Sequence, residues 1–438
     1  MPSNRSYRSR SYRSRSVHPR MSVRWRIAGS IGIVITMAIT MSACGGNGST
    51  PADTTSTTAA PPARTIVAPG TFGSIQAAVD DARPGDMVLI DPGTYTEAIT
   101  VETNDITLRG ADRNTTILDG DNRLENGVMV LSDGVAVENL TARRFRSNGV
   151  LFTGDYAKGR TLSGYRASYV TAANNGLYGI YAFNARGGTI DHIYASGHPD
   201  AGIYIGQCQP CDAVIRDSVA EFNAAGFQGT NAGGQLVIVS NVWRHNRVGV
   251  EPNSSAKEKL APQADTDIVG NVIVDNSEPR APKATEAFGV GVAVGGGSSN
   301  RIERNLITGH ASAGVAIIDQ DGFLADGNRV IANTLSGNRT DLVISTADGA
   351  TRNNCFATNI FTTSAPVDIE SRYACAPESR GGQGQAPAAA APGPVPYQDI
   401  ALPGPQETMP DPGARPASPA GSPNPPDLSS ITTPAAPT

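Results

Sequence analysis

A short apolar–polar–apolar pattern recurs along the middle of the chain, each time directly after a marker residue. Successive markers are 30, 23, 24, 23, 42, 23 and 27 residues apart, so most repeats share one length and the longer ones carry insertions. Alternation with period two after each marker predicts a short β-strand. The markers are Gly149, Gly179, Gly202, Gly226, Gly249, Gly291, Gly314 and Asp341.

Residues at the same distance from their markers form columns when the repeats are stacked. The positions one and three after each marker are mostly apolar and are predicted to face inward. The position between them is predicted to face outward. This outward column consists of Tyr181, Tyr204, Gln228, Glu251, Ala293, Ala316 and Val343.

A repeat of this length with short strands and no helix predicts an all-β fold, a single right-handed parallel β-helix of roughly ten coils over residues 65–378. Asn223, Asn246 and Asn338 lie three residues before their markers. We expect them to adopt left-handed backbone and to hydrogen-bond along the stack. The spacing of leucines needed for a leucine-rich horseshoe is absent, and a propeller needs a period of about 40 residues.

A helix is predicted before the first coil. Apolar residues recur at helical spacing from Ile75 to Ala82, and Ser74 is placed to act as the N-cap. We expect this helix to cap the amino-terminal end of the solenoid.

Two segments resemble known β-helix proteins. The stretch from Gly73 to Val79, with Gly85-Asp86 and Asp91 to Tyr95, resembles the capping helix and first turn of pectate-lyase-like proteins. The segment Asp200 to Gln207 is similar to a stretch in exported parallel β-helix repeat proteins of bacteria. The resemblance implies the fold over about Thr65 to Cys375, whereas the fold itself serves lyases, hydrolases, esterases, epimerases and non-catalytic proteins.

The catalytic motifs of these enzyme families are incomplete in this chain. Thr189 to His192 retains only the last three residues of the pectate lyase element Trp-Ile-Asp-His. His198-Pro199-Asp200 reverses the Asp-Pro-His order of mannuronan epimerases.

The amino terminus has the features of an export signal. Residues 1–43 combine an arginine-rich start with an apolar run from Ile27 to Met41, which is too short to span a bilayer comfortably. The tetrad Met41 to Cys44 resembles the lipobox of bacterial lipoproteins, which implies lipidation of Cys44 and a membrane anchor. A plain signal peptide cut elsewhere or an uncleaved anchor are the alternatives, and Met21 is a second candidate start. Residues 44–64 are predicted to be a flexible tether.

Charge and cysteines fit an exported protein. The net charge is −5, but the first 44 residues hold eight arginines and no acid, so the remainder carries −13 and is a poor candidate for nucleic-acid binding. Cys208 with Cys211 and Cys355 with Cys375 are predicted disulfides of an extracytoplasmic protein. A redox dithiol or half of a zinc site are the alternatives for the first pair.

The candidate functional face is the outward column. Tyr181, Tyr204, Gln228 and Glu251 are joined there by polar residues that lie four residues (His198, His245) or two residues (Asp200, Arg247) before their markers. Tyrosine rings and hydrogen-bonding side chains favour a polysaccharide ligand. The catalytic alternative is a lyase or epimerase in which Tyr204 or His198 abstracts a proton and Arg247 stabilises a uronate carboxylate. A purely structural ladder of stacked side chains is the third interpretation.

Weaker features complete the prediction. Asp319, Asp321 and Asp326 are calcium candidates, although no cofactor is otherwise expected. The tail, residues 379–438, is rich in Pro and Ala and is predicted to be disordered or polyproline-like, with one apolar island at residues 397–402. The sequence thus predicts a monomeric, lipid-anchored extracytoplasmic protein that binds a polysaccharide or another envelope component. A scaffold for another exported protein is a further hypothesis.

Overall fold

The computed structural model describes residues 62–282, 287–347, 349–376, 380–393, 395–416, 420 and 425–435. The predicted export signal, the lipidation site Cys44 and nearly all of the tether lie outside the described residues. In the described part of the chain, no helix has the length and apolar character needed to cross a membrane.

Thirty-three strands, numbered β1 to β33 in chain order, form three sheets in the described residues. Sheet A contains β1 (Thr65–Ala68), β2 (Met87–Ile90), β5 (Thr107–Gly110), β8 (Val135–Glu138), β11 (Leu162–Ser168), β14 (Ala185–Asp191), β17 (Ala213–Arg216), β20 (Gly233–Val239), β23 (Ala264–Val269), β26 (Arg301–Glu303), β29 (Arg329–Ile331) and β32 (Cys355–Ala357). Sheet B contains β3 (Gly93–Tyr95), β6 (Thr116–Asp119), β9 (Thr141–Arg143), β12 (Thr171–Ala173), β15 (Tyr194–Ser196), β18 (Val219–Glu221), β21 (Val242–Arg244), β24 (Val272–Val274), β27 (Leu306–Thr308) and β30 (Thr334–Ser336). Sheet C contains β4 (Ile99–Val101), β7 (Val128–Val130), β10 (Val150–Thr153), β13 (Ile180–Phe183), β16 (Ala201–Gly206), β19 (Ala225–Thr230), β22 (Val248–Asn253), β25 (Val290–Gly295), β28 (Ala313–Ile318), β31 (Leu342–Ser345) and β33 (Ser364–Ala365).

Between β2 and β31 each coil contributes one strand to sheet A, one to sheet B and one to sheet C, and the strands of each sheet pair in parallel from coil to coil. The predicted parallel β-helix is therefore confirmed. The register is also the predicted one, since Tyr181 pairs with Tyr204, Tyr204 with Gln228, and Gln228 with Glu251.

The core is the interior of the solenoid. The residues one position after each marker pack in a continuous stripe and are fully buried, including Ile180, Ile203, Phe227 and Val250. Burying one such side chain stabilises the fold by about 1.5–3 kcal/mol. No single coil can shield its own apolar side, so the stripe holds the coils together only when they are stacked.

Asparagine ladders line the corners between the sheets. At the corner between sheets B and C, the side-chain oxygen of Asn246 accepts from the backbone N of Asn223 at 3.0 Å, and Asn276 does the same for Asn246 at 3.1 Å. The predicted hydrogen bonding along the stack is confirmed. The left-handed backbone, however, falls one residue earlier than predicted, at Phe222 and His245, with φ of 57° and 51°.

Helices and disulfides close the two ends. Helix α1 (Ile75–Asp81) begins at Ser74, whose Oγ accepts from the backbone N of Ala77 at 3.1 Å, as predicted. Helix α2 (Ile369–Arg372) lies at the other end. Short 3₁₀ turns occur at Gly70–Phe72, Tyr397–Asp399 and Leu428–Ser430. Both predicted disulfides are present, joining Cys208 to Cys211 and Cys355 to Cys375.

The ordered body starts slightly earlier than predicted, because Arg64 is already fixed to it. Its guanidinium pairs with Asp86 at 2.6 Å and with Asp81 at 2.9 Å. The last residue of the predicted tether thus belongs to the first coil.

The described part of the tail, which the composition predicted to be disordered or polyproline-like, lies against the coils. Asn174 donates to the carbonyls of Tyr397 and Ile400 at 2.9 and 2.6 Å, which docks the apolar island. Further along, Arg109 donates to the Ala414 carbonyl at 2.5 Å. A proline-rich chain keeps its carbonyls free, and the side chains at the corners supply the donors.

The tail then returns over sheet A. Arg304 donates to the carbonyl of Leu428 at 2.8 Å, and Leu428 and Ile431 pack on Val214 and Val237. Among the described tail residues, no hydrogen bond reaches Tyr181, Tyr204, Gln228 or Glu251 of sheet C.

Candidate functional site

The outer face of sheet C across β13, β16, β19 and β22, which we call the tyrosine face, carries the predicted outward column. Parallel pairing places Tyr181, Tyr204, Gln228 and Glu251 side by side in four successive coils. Neighbouring coils are about 4.8 Å apart, so the column is about 14 Å long. Gln228 donates through Nε2 to Oε2 of Glu251 at 3.2 Å.

One wall of the tyrosine face comes from the corner between sheets B and C. The ring of Tyr178 stacks on Tyr181 with centroids 4.4 Å apart, and its centroid is 4.9 Å from that of Tyr204. The Tyr178 hydroxyl also lies near the Asp200 carboxyl. Tyr178 directly precedes the marker Gly179, and sequence reasoning missed it because only the outward column was considered.

The opposite wall comes from loops between sheets C and A. The oxygen of the Gln207 side chain accepts from the hydroxyl of Tyr156 at 2.9 Å and from the backbone N of Lys259 at 3.1 Å. The Gln207 amide donates to Glu258 at 2.8 Å, and the Lys259 ammonium lies 4.3 Å from the centroid of the Tyr156 ring. The loop after β22 thus belongs to the site, although its length was the only signal in the sequence.

Apolar tips stand on both walls. Leu177 is 43% exposed beside Tyr178, and Leu260 is 38% exposed beside Lys259. The two exposed leucines flank the tyrosine floor, and we call the surface between the two walls the groove.

Burial shifts the acids of the face toward the neutral form. Desolvation raises the pKa of Asp200 to about 6, with the nearby Tyr178 hydroxyl opposing it. Desolvation likewise raises the pKa of Glu251 to about 7, and the charge of Asp200 adds to that rise. Burial also raises the pKa of the Tyr178 and Tyr204 phenols, which therefore keep their protons at neutral pH and remain hydrogen-bond donors.

His198 is not on this face, contrary to the sequence-based expectation. It is fully buried in the corner ladder, where its ring nitrogens contact Asn223 at 2.7 Å and Asn175 at 3.2 Å. Burial lowers the pKa of His198 to about 4. One extra residue before Gly202 shifts His198 into register with Asn223, so its imidazole cannot reach a ligand on the tyrosine face.

Arg247 and His245 are also placed differently from the expectation. Arg247 is fully buried, donates to the carbonyl of Pro392 in the tail at 3.0 Å, and lies 5.0 Å from the centroid of the Phe288 ring. His245 stacks on Phe222 with centroids 5.7 Å apart, beside a cavity of about 330 Å³ that the tail closes. The tyrosine face therefore unites Tyr181, Tyr204, Gln228, Glu251 and Asp200, without Arg247 and His245.

The three aspartates proposed for calcium have protein partners or stand apart. Asp319 pairs with Arg352 at 3.1 Å, Asp326 accepts from Asn353 at 3.1 Å, and Asp321 is exposed. Across the described ranges, no group of three or more His, Cys, Asp or Glu side chains is arranged to hold a metal ion.

The family model "Right handed beta helix region" matches residues 98–273 and 148–335, which together exceed half of the chain. The chain belongs to this right-handed β-helix family. No curated protein sequence matches it.

Solved structures with similar coils include carbohydrate-active enzymes. The A-module of a mannuronan C-5 epimerase from Azotobacter vinelandii is 17% identical, with 66% of this chain and 92% of that chain covered and a TM-score of 0.43. A pectate lyase is 18% identical, with 71% and 80% covered and a TM-score of 0.43. The catalytic unit of an α-1,3-glucanase from Streptomyces thermodiastaticus is 12% identical, with 66% of each chain covered and a TM-score of 0.45. At these values the likenesses carry no argument about activity, and the fold rests on the family model and the sheet topology.

Proposed function

We propose that the protein binds a polysaccharide chain along the tyrosine face. The observation that carries this proposal is the aromatic cluster of Tyr178, Tyr181 and Tyr204, continuous with the hydrogen-bonding pair Gln228 and Glu251. The rings offer stacking surface, while the amide, carboxyl and phenol groups match sugar hydroxyls. The described tail docks elsewhere and leaves the column free of tail hydrogen bonds.

The test is a glycan array followed by affinity measurement on the best ligand. Replacing Tyr178 and Tyr181 together by Ala removes two stacked rings, each worth about 0.5–1.5 kcal/mol, and is expected to weaken binding about ten-fold or more. Tyr169→Ala is the matched control, since Tyr169 stacks on His192 with centroids 4.2 Å apart, away from the tyrosine face. Unchanged affinity in the double variant, or an equal loss in the control, contradicts the proposal.

A glycan-acting enzyme is the second candidate. Asp200 and Glu251 approach the same face, and burial brings their pKa values to about 6 and 7, the range in which carboxyl groups serve as general acids near neutrality. A hydrolase would use one as acid and the other as base. The hypothesis of a uronate lyase or epimerase requires Arg247 to stabilise the substrate carboxylate. That side chain is instead buried against the carbonyl of Pro392.

Release of new reducing ends tests hydrolysis, and absorbance of unsaturated uronates near 235 nm tests elimination. Activity that survives in both the Asp200→Asn and Glu251→Gln variants would remove the acid–base assignment.

We propose further that the protein is exported and anchored by a lipid on Cys44. Both disulfides support an oxidising compartment outside the cytoplasm. The Cys44→Ser variant is expected to leave the membrane fraction and appear in the soluble one. Full retention of the variant in the membrane fraction would contradict the anchor.

A further inference from the structure

We infer that the preferred ligand of the tyrosine face is a glycan with free amino groups, bound through carboxylates and tyrosine rings. This inference rests on the proposed function and specifies the substrate class of the same face. Its basis is the charge of the groups that line the groove.

The groups that face the groove are mostly acidic. Asp200 lies on the wall beside Tyr178, Glu251 on the floor, and Glu258 on the opposite wall, held by Gln207 at 2.8 Å. The negative charge of Glu258 contributes to the raised pKa of the Tyr181 and Tyr204 phenols, so its carboxyl group lies close to both rings. Three carboxyl groups around one groove favour a cation.

Two cations near the groove, Lys259 and Arg247, are already engaged. The ammonium of Lys259 lies 4.3 Å from the centroid of the Tyr156 ring. The guanidinium of Arg247 is buried against the tail carbonyl of Pro392. A uronate chain would therefore meet carboxylates without an arginine to balance its charge, whereas an ammonium group would meet opposite charge.

A buried acceptor at the end of the floor points to a ligand donor. Asn253 is two residues after Glu251 on the same outer face of β22 and is only 7% exposed. Its Oδ1 has no hydrogen-bond donor among the described residues. A buried oxygen without a donor is costly. The ammonium or hydroxyl of an amino sugar is a donor of the right chemistry for this oxygen.

The rings complete the preference. Ammonium groups are attracted to the faces of tyrosine rings within about 6 Å of the centroid. Tyr178 and Tyr181 are partly exposed above the nearly buried Tyr204 and lie beside Asp200. An N-acetylated sugar keeps its ring stacking but offers no charge to the carboxylates.

The experiment measures the affinity of the full protein for three oligosaccharides of equal length: a glucosamine hexamer, an N-acetylglucosamine hexamer and a uronate hexamer. We expect the glucosamine hexamer to bind at least ten-fold more tightly than the other two. Asp200→Asn and Glu251→Gln are nearly isosteric, and each is expected to reduce this preference several-fold, because the glucosamine hexamer loses an ion pair that the N-acetylated hexamer never makes. The urea midpoint of each variant verifies that it is folded.

The pH dependence gives a second readout. The titratable groups around the groove are Asp200, Glu251, Glu258, Lys259, Tyr156, Tyr178, Tyr181 and Tyr204. The carboxyl of Asp200 becomes charged as pH rises through about 6, while the ammonium groups of glucosamine still keep their protons, so glucosamine binding should tighten between pH 5 and 6, and less so in the Asp200→Asn variant.

The outcomes separate the two proposals. Equal or tighter binding of the N-acetylated or uronate hexamer overturns the amino-glycan inference and leaves polysaccharide binding in place. Absence of binding to all three hexamers and to the whole glycan array overturns both.

Discussion

The corner ladder between sheets B and C yields the sharpest stability prediction. Replacing Asn246 by Ala removes acceptor bonds from the backbone and side-chain N of Asn223, both 3.0 Å. It also removes donor bonds to the carbonyls of Ala220 and Arg244 and to Asn276, at 2.9, 3.0 and 3.0 Å. Asn246 is fully buried, so water cannot replace these partners.

The magnitude follows from the number of bonds. Each of the five hydrogen bonds contributes at the low end of the usual net stabilisation, and the backbone N–H of Asn223 is left buried without an acceptor. Together these effects lower the free energy of unfolding by about 4 kcal/mol. Urea unfolding followed by far-ultraviolet circular dichroism measures it.

Two comparison variants test whether the loss of stability comes from the ladder. Asn104 is exposed and accepts one bond, from the backbone N of Asp133 at 3.0 Å, so Asn104→Ala should cost less than about 1 kcal/mol. Histidine takes the place of asparagine in this ladder at His198 and His310, where it keeps the side-chain contacts to both neighbouring coils, so Asn246→His should lose less stability than Asn246→Ala. A loss for Asn246→Ala as small as that for Asn104→Ala would refute the ladder as a main source of stability.

Three further predictions concern the ends, the ladder histidines and the tail. Replacing Cys355 and Cys375 by Ser removes a disulfide between residues 20 positions apart and should lower the free energy of unfolding by about 3 kcal/mol. Removing the disulfide between Cys208 and Cys211, which are 3 positions apart, should lower it by about half as much. Thermal unfolding without reductant measures both losses, and equal losses would contradict the dependence on loop length. Burial lowers the pKa of His310 to about 4 from 6.5, so the unfolded chain takes up the proton first and stability should fall as pH drops from 6.5 to 4. The His310→Asn variant should therefore lose less between pH 7 and 4.5 in urea midpoints, and an unchanged loss counts against a neutral buried imidazole. Asn174→Ala removes the hydrogen bonds to the tail at Tyr397 and Ile400, so a protease should cleave the tail near these two residues several-fold faster. An unaltered cleavage rate would show that these bonds do not hold the tail.

The sequence was sufficient for the fold and for the register of the tyrosine face. Glycine markers and period-two alternation act locally in each coil, and the pairing of Tyr181 with Tyr204 in neighbouring strands follows from them directly. Because the coils are regular, the number of residues between a side chain and its marker is enough to predict its place in the column.

The predicted positions were wrong where one coil has an extra residue, and contacts between segments distant in the sequence could not be predicted in this way. The extra residue before Gly202 moved His198 into the buried ladder. The packing of Glu258 near Tyr204 depends on how the loop after β22 folds back, and the burial of Arg247 depends on a tail residue 145 positions away in the sequence. Neither contact leaves a periodic signal, so neither could be read from the pattern.

Hydrogen–deuterium exchange of the protein with and without a saturating oligosaccharide tests the central claim most directly. The account predicts slower exchange in the peptides that cover residues 174–183, 200–207 and 254–262, which form the floor and both walls of the tyrosine face. Slower exchange confined to sheet A, or to the cavity between Phe222 and the tail, would contradict it.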